Sequence, residues 1–211
     1  MKILNLYSGI GGNRKLWTPN GDDHEITAVE YKQEIADIYK YFFPNDTVIV
    51  ADAHQYLLDH YKEFDFIWSS TPCPYNSRAR FWGYHKTRPV YPDLTLYQQR
   101  IFLDYHHNGL HVNENVIPYY DKDIKSEMLM KPSAKIGRHF FWSNFKIGTF
   151  EHKSSAVIKL SGTSEKDKRE RNKTDPEIGL YILNCARNII TKSNVNQLDI
   201  FNQNGDKLFN K

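Results

Sequence analysis

Along the first half of the chain, apolar and polar positions follow two different periods. Lys2–Tyr7 is a short apolar run ending in a glycine turn, and Glu25–Glu30 is a second apolar run, so both predict strands. From Tyr31 to Phe43 the period becomes helical, with Ile35, Ile38, Tyr39 and Phe42 on one face; Pro44-Asn45-Asp46 stops the helix. Thr47–Ala51 is a β-branched run and predicts a third strand, followed by a short helix over Ala53–Tyr61. Phe64–Trp68 predicts a fourth strand. Leu94–His107 predicts a helix with Leu94, Tyr97, Ile101 and Tyr105 on its core face, and Leu110–Asn113 a fifth strand. Strand and helix alternating at this pitch predict an α/β fold, a mostly parallel sheet with helices on both faces.

The pattern changes after Asp121. Phe140-Phe141-Trp142 and Phe145-Lys146-Ile147 predict the two strands of a late β-hairpin, and the polar stretch from Gly162 to Thr174 a loop. Asp175-Pro176-Glu177 opens a helix running to about Ile190, with Asp at the cap and Pro at the first helical position. The last twenty residues read as a tail.

Composition narrows the class. Of 211 residues, 40% are hydrophobic and 25% charged, which is globular composition with enough apolar material for a core. No apolar run approaches the ~20 residues of a membrane span, and the N-terminus has no signal-peptide pattern. Two cysteines, Cys73 and Cys185, make neither a disulfide framework nor a four-thiolate zinc site, so a reducing, cytoplasmic setting is expected. His106, His107 and His111 read as structural or surface residues, and no metal site is predicted. The net charge of +3 is uneven: Lys135–Lys173 carries ten Lys or Arg against four Asp or Glu. A basic segment on a near-neutral body suits contact with a polyanion.

In open parallel sheets, ligands bind at the carboxyl ends of the strands, and the informative residues fall there. Strand one ends in Tyr7-Ser8-Gly9-Ile10-Gly11-Gly12, where glycines allow close approach of backbone to a ligand. Strand two ends in Glu30, a carboxylate able to accept from ribose hydroxyls. Strand three ends in Asp52, followed by Ala53. Together they predict an adenosine-type ligand. Strand four ends in Thr71-Pro72-Cys73-Pro74, where two prolines clamp a thiol in a rigid loop beyond a strand, a placement that suits a nucleophile. Strand five ends in Asn113-Glu114-Asn115-Val116. A thiol with a carboxylic acid can attack a heteroaromatic ring: the thiol adds and the acid protonates.

These motifs, in this order from about residue 2 to about residue 190, resemble the DNA cytosine-5 methyltransferase family. The glycine turn resembles its Phe-x-Gly-x-Gly loop for S-adenosylmethionine. Glu30-Tyr31 resembles its ribose- and adenine-binding Glu-Trp pair, and Asp52 its adenine-reading acid. Thr71-Pro72-Cys73 resembles the Pro-Pro-Cys nucleophile motif, with Ser77 on a serine of that loop. Glu114-Asn115-Val116 matches Glu-Asn-Val, and Arg138 fits the second arginine of Gln-x-Arg-x-Arg. The resemblance implies a Rossmann-like S-adenosylmethionine-dependent methyltransferase fold. It implies a flipped-out cytosine in double-stranded DNA as substrate, Cys73 and Glu114 as catalytic residues, and electrostatic help from Arg138. It also implies a cytoplasmic setting in a bacterium or a phage-infected cell, with a restriction endonuclease as a possible partner.

The chain departs from the family in places. Pro74 replaces the usual Gln after the nucleophile, and Ala134 and Ile136 stand where the motif has Gln and its first Arg. Only the short stretch from Phe150 to Thr174 lies where the family has a large target-recognition region. The expected organisation is a catalytic domain over 1–150, a short basic recognition-like segment over 151–174, a helix over 175–191 completing the catalytic domain, and a tail over 192–211. DNA contacts are expected from Ser77, Arg78, Arg80, Lys86, Arg88, Lys153, Lys159 and Lys173. Three alternatives stand beside this reading: an amino-methyltransferase, which leaves Glu114 without a role; a partner-dependent or inactive methyltransferase subunit that needs another chain for DNA recognition; and a transfer-RNA enzyme, because some RNA enzymes share the chemistry. In the tail, Gln197-Leu198-Asp199-Ile200-Phe201 resembles the peptide that docks on the bacterial sliding clamp, while its continuation through Asn204-Gly205 also reads as a β-hairpin.

Overall fold

The computed structural model describes residues 1–18, 24–77, 88, 90–122, 130–150 and 174–188. Seven strands form one sheet in the order β3-β2-β1-β4-β5-β7-β6. They are β1 (Lys2–Leu6), β2 (Glu25–Glu30), β3 (Thr47–Val50), β4 (Phe66–Ser70), β5 (Leu110–Val116), β6 (Ala134–Ile136) and β7 (His139–Ser143). The first five are parallel; β7 enters antiparallel beside β5, and β6 is antiparallel to β7. The helices are α1 (Gln33–Phe42), α2 (Ala53–His60), α3 (Thr95–His106) and α4 (Pro176–Ala186). Strand order reverses between β1 and β4, so the loops after these two strands flank the crevice where such sheets take their ligands.

Alternation along the strands builds two cores. Ile3, Phe66, Trp68 and Phe141 face one side, where Ile178, Tyr181 and Ile182 of α4 cover them. Leu4, Leu6 and Ile67 face the other, against Leu57 of α2 and Leu103 of α3. Inside α4, a Cβ on Gly179 would run into the backbone of Asn13, so the helix lies directly on the chain that follows the glycine turn. The same chain is tied to β1 by paired amides, Asn13 Nδ2 donating to Asn5 Oδ1 at 2.9 Å. A buried Arg14–Asp46 pair, with contacts of 2.9 and 3.0 Å, holds it to the turn before β3.

Three predicted features differ. The late hairpin pairs β7 with Ala134–Ile136, not with Phe145–Ile147. Gly137, at φ +58, makes the turn between β6 and β7, while Phe145 and Ile147 pack into the core without strand pairing. On α3 the predicted core face is largely outside: Leu94, Ile101 and Tyr105 are exposed, whereas Leu96, Gln99 and Leu103 are buried with Tyr97. On α1, Tyr39 and Ala36 are buried and Phe42 is exposed. The last helix ends at Ala186, and the expected segment 151–173 and tail 192–211 lie outside the described residues. Among the described residues no helix is long and apolar enough to cross a membrane.

Candidate active site

The glycine turn leaves β1 through Tyr7, which sits at φ +54, a left-handed conformation that a non-glycine residue adopts only when its surroundings hold it. Two bonds do so. The Ser8 N–H donates to Val29 O at 3.0 Å, and Gln99 Nε2 donates to the Tyr7 hydroxyl at 2.9 Å. Gln99 is 1% exposed; it also accepts from Ser69 Oγ at 2.6 Å and lies 3.2 Å from His54 Nδ1. One α3 side chain thereby ties together the ends of β1 and β4 and the start of α2. Burial pushes the Tyr7 phenol up to about 12, so its hydroxyl keeps its proton at any ordinary pH.

Glu30, at the end of β2, accepts from the Gly9 N–H through Oε2 at 3.1 Å and from the Lys32 N–H through Oε1 at 3.0 Å. That fixes the carboxylate beside the turn with lone pairs to spare. The adjacent Tyr31 ring is 74% exposed. Asp52 caps α2, with Oδ1 accepting from the N–H groups of His54 and Gln55 at 2.8 and 2.9 Å, and Ala53 is buried behind it. Gly9, at φ +54, has nothing within 4 Å of where a Cβ would stand, whereas Gly11 is closed in by Tyr39 and Phe43. Ile10 and Gly12 are half-buried, and Ser8 Oγ is buried without a protein partner. An open backbone turn, an orphaned hydroxyl, a fixed carboxylate and an exposed ring fit an adenosine with a short charged arm.

Cys73 begins a tight turn, its carbonyl accepting from the N–H groups of Asn76 and Ser77 at 3.0 and 2.9 Å. Ser77 makes an isolated bridge to Pro118, and Pro72 is exposed. The loop hangs on a residue whose role the sequence pattern left unassigned. Asn115 Nδ2 donates to Thr71 O and Thr71 Oγ1 at 3.0 and 2.9 Å. Parallel register sets Ser70 beside Glu114, which brings the carboxylate into the thiol's field. Burial pushes the Cys73 thiol up, and the charge of Glu114 pushes it further. Glu114 is buried; Thr174 Oγ1 donates to its Oε2 at 3.5 Å, and His139 Nδ1 lies 3.3 Å from its Oε1.

Arg138 sits exposed in the turn between β6 and β7, and its carbonyl accepts from Ile117 N–H at 3.2 Å. The neighbouring His139, not Arg138, is the basic side chain at Glu114. Arg88 is exposed, while Arg78, Arg80, Lys86, Lys153, Lys159 and Lys173 lie outside the described residues. His107 and His111 are buried near the start of β5, at the end away from Glu114, and among the described residues no group of three His, Cys, Asp or Glu side chains is placed to hold a metal.

A glycine turn and two fixed carboxylates at the first three strand ends of a mostly parallel sheet, and a thiol beside a carboxyl group at the next two, are the layout of the Rossmann-like methyltransferase fold. The sequence model of the C-5 cytosine-specific DNA methylases matches residues 1–116, more than half the chain, and the chain belongs to that family. Its methyl donor is S-adenosylmethionine. The chain is similar to a tRNA (cytosine(38)-C(5))-methyltransferase of Spodoptera frugiperda, 34% identical over 84 residues that cover 38% of this chain and 25% of that protein. Among solved structures it is similar to Spodoptera frugiperda DNMT2, at 21% identity and a TM-score of 0.42, covering 72% of this chain and 53% of that one. It is also similar to NSun6 from Pyrococcus horikoshii, at 17% identity and a TM-score of 0.43, covering 68% and 47%. The chain thus spans a quarter of the length of the named relative and about half of each of these structures.

Proposed function

We propose that the protein methylates C5 of cytosine in DNA through a covalent bond between Cys73 and C6 of the base. The observation that carries this reading is the pairing of Cys73 with Glu114 at adjacent strand ends, close enough for the carboxylate charge to act on the thiol. Cytosine is a weak nucleophile at C5. Addition of the Cys73 thiolate to C6 makes C5 enamine-like, while Glu114 gives a proton to N3 and accepts from the exocyclic amino group. S-adenosylmethionine supplies an electrophilic methyl group. Glu30, Tyr31 and Asp52 hold its adenosine, and the Tyr7–Gly12 turn receives its charged arm. Loss of the C5 proton and expulsion of Cys73 release the product. Stacked bases hide C5 and C6, so the cytosine has to swing out of the helix. Ser77 and Arg88 border the nucleophile loop and, with Arg78, Arg80 and Lys86, are proposed phosphate contacts; Lys153, Lys159 and Lys173 extend that basic surface.

A second reading takes transfer RNA as substrate. The supporting observation is the relative whose name states tRNA cytosine-5 methylation. Expression in a host free of 5-methylcytosine, followed by base-resolution mapping of that base in both genomic DNA and tRNA, separates the two. Methyl groups in DNA at a short recurrent sequence are expected. Methylation confined to tRNA would replace the DNA reading, and none in either would overturn both.

A further inference from the structure

We infer that His139 is a positioning residue for the reaction at Glu114: its imidazolium is the counter-charge facing the carboxylate that Glu114 becomes on giving its proton to the base. This rests on the reading of Cys73 and Glu114 just proposed. In the antiparallel β5–β7 pair, Glu114 stands opposite Phe141 and Val116 opposite His139. All four therefore share one face, with His139 the diagonal neighbour of Glu114. Nδ1 of His139 is 3.3 Å from Oε1 of Glu114, and the two side chains are 16% and 8% exposed. The pair is not aligned as a hydrogen bond, so the contact is one of charge, which needs proximity rather than direction.

The other groups around the pair are few. Thr174 bonds the second carboxylate oxygen from the segment entering α4, and Asp175, next along, is turned to its own helix, accepting from Glu177 N–H at 2.9 Å. Cys73 faces Glu114 from the loop after β4. On β6 the residue opposite His139 is the apolar Ile136, and Arg138 is exposed in the turn. Among the described residues no other cationic side chain contacts Glu114.

Such a cation favours both negative charges that the reaction needs. As the Cys73 Sγ–C6 bond forms from the thiolate pair, the C5–C6 π pair shifts to C4–C5 and the C4–N3 π pair onto N3, which takes the proton of Glu114; the C4–C5 pair is the one C5 then uses. The carboxylate left behind meets the imidazolium. C5 then bonds the methyl carbon, whose former bonding pair stays with the donor sulfur. When C5 loses its proton to water, the Sγ–C6 bond breaks with its pair returning to sulfur, and N3 returns its proton to Glu114. His139 exchanges no proton with the base, and a charge on its ring opposes the push that Glu114 exerts on the thiol.

The test uses the full chain, with iodoacetamide alkylation of Cys73 read by peptide mass so that Cys185 is scored separately. His139→Gln keeps polarity and loses the charge. At about pH 6, where an ordinary imidazole is largely protonated, the variant should alkylate about threefold or more slowly than wild type; at about pH 9 the two should be alike. The deficit at pH 6 should shrink in a Glu114→Gln background. Single-turnover methyl transfer at pH 6 should fall roughly tenfold in His139→Gln with S-adenosylmethionine affinity unchanged. A ratio of wild type to variant that is the same at both pH values would overturn the inference, because a merely structural histidine gives that result. Absence of methyl transfer by the wild-type chain would count against the functional reading instead, and the alkylation ratios would still decide what His139 does at the thiol.

Discussion

Asn115 donates both of its amide hydrogens to Thr71, one to the carbonyl and one to the hydroxyl. The residue after the predicted acid thus suspends the loop that carries the predicted nucleophile, and the two proposed catalytic groups share one connection. Asn115→Ala should leave the buried Thr71 oxygens without a donor and cost about 1–3 kcal/mol of stability. Single-turnover methyl transfer should drop by more than the loss of folded protein explains, with S-adenosylmethionine affinity unchanged. Urea titration beside rapid-quench kinetics checks both; a rate near wild type would remove Asn115 from the site.

Replacing Cys73 by Ser changes the nucleophile and little else. Methyl transfer should vanish, along with covalent trapping on DNA containing 5-fluorocytosine, while calorimetry should find cofactor binding near normal. More than a few per cent of residual activity would exclude attack by Cys73.

Gln99 is the buried clasp of the strand ends proposed to hold the cofactor. Gln99→Leu strands the Ser69 and Tyr7 hydroxyls and frees the left-handed backbone at Tyr7. Cofactor affinity should weaken roughly tenfold, one hydrogen bond's worth, and Tyr7→Phe should reproduce part of that loss. Titration calorimetry of the single and double variants reads it: additive losses would mean that the two residues act separately.

Gly179→Ala would drive a methyl group into the Asn13 backbone. We expect a loss of about 1–3 kcal/mol in urea unfolding and weaker cofactor binding in the folded fraction. Unchanged stability would mean that α4 shifts freely over the chain beneath it.

Burial, together with the Arg100 charge, lowers His111 from 6.5 to about 4. The unfolded chain therefore binds the extra proton between these values. The contribution is fully present above about pH 6.5 and is lost as pH falls toward 4, on the order of 3 kcal/mol in all. His107, also lowered by burial, adds in the same direction. Thermal melts from pH 7.5 to pH 4 should show this decline, and His111→Gln should flatten it in part.

Much of the proposed site was legible because its residues stand at or near the ends of strands. Glu30, Asp52, Cys73 and Glu114 each follow an apolar run, and the sheet brings such ends to one edge whatever the side chains do. The helix faces were less legible. Leu94, Ile101 and Tyr105 carry the predicted apolar period of α3, yet they are exposed and Gln99 is buried with Leu96, Tyr97 and Leu103, because the ends of three elements need a polar tie that periodicity counts as surface. The hairpin was misread for a related reason. Phe145 and Ile147 are apolar enough for a strand, but the turn glycine, Gly137, lies ahead of β7, and that signal was in the sequence. Nothing local marked His139, whose contact with Glu114 exists only through the β5–β7 register.

The contact between Gly179 and Asn13 also orders events in time. The glycine turn is made more than 150 residues ahead of the helix that backs it. Until α4 is made, Ile3, Phe66, Trp68 and Phe141 lack the helix that covers them, and Glu114 lacks Thr174. A message broken off before that codon would encode the proposed nucleophile, acid and cofactor turn without the wall that α4 gives them.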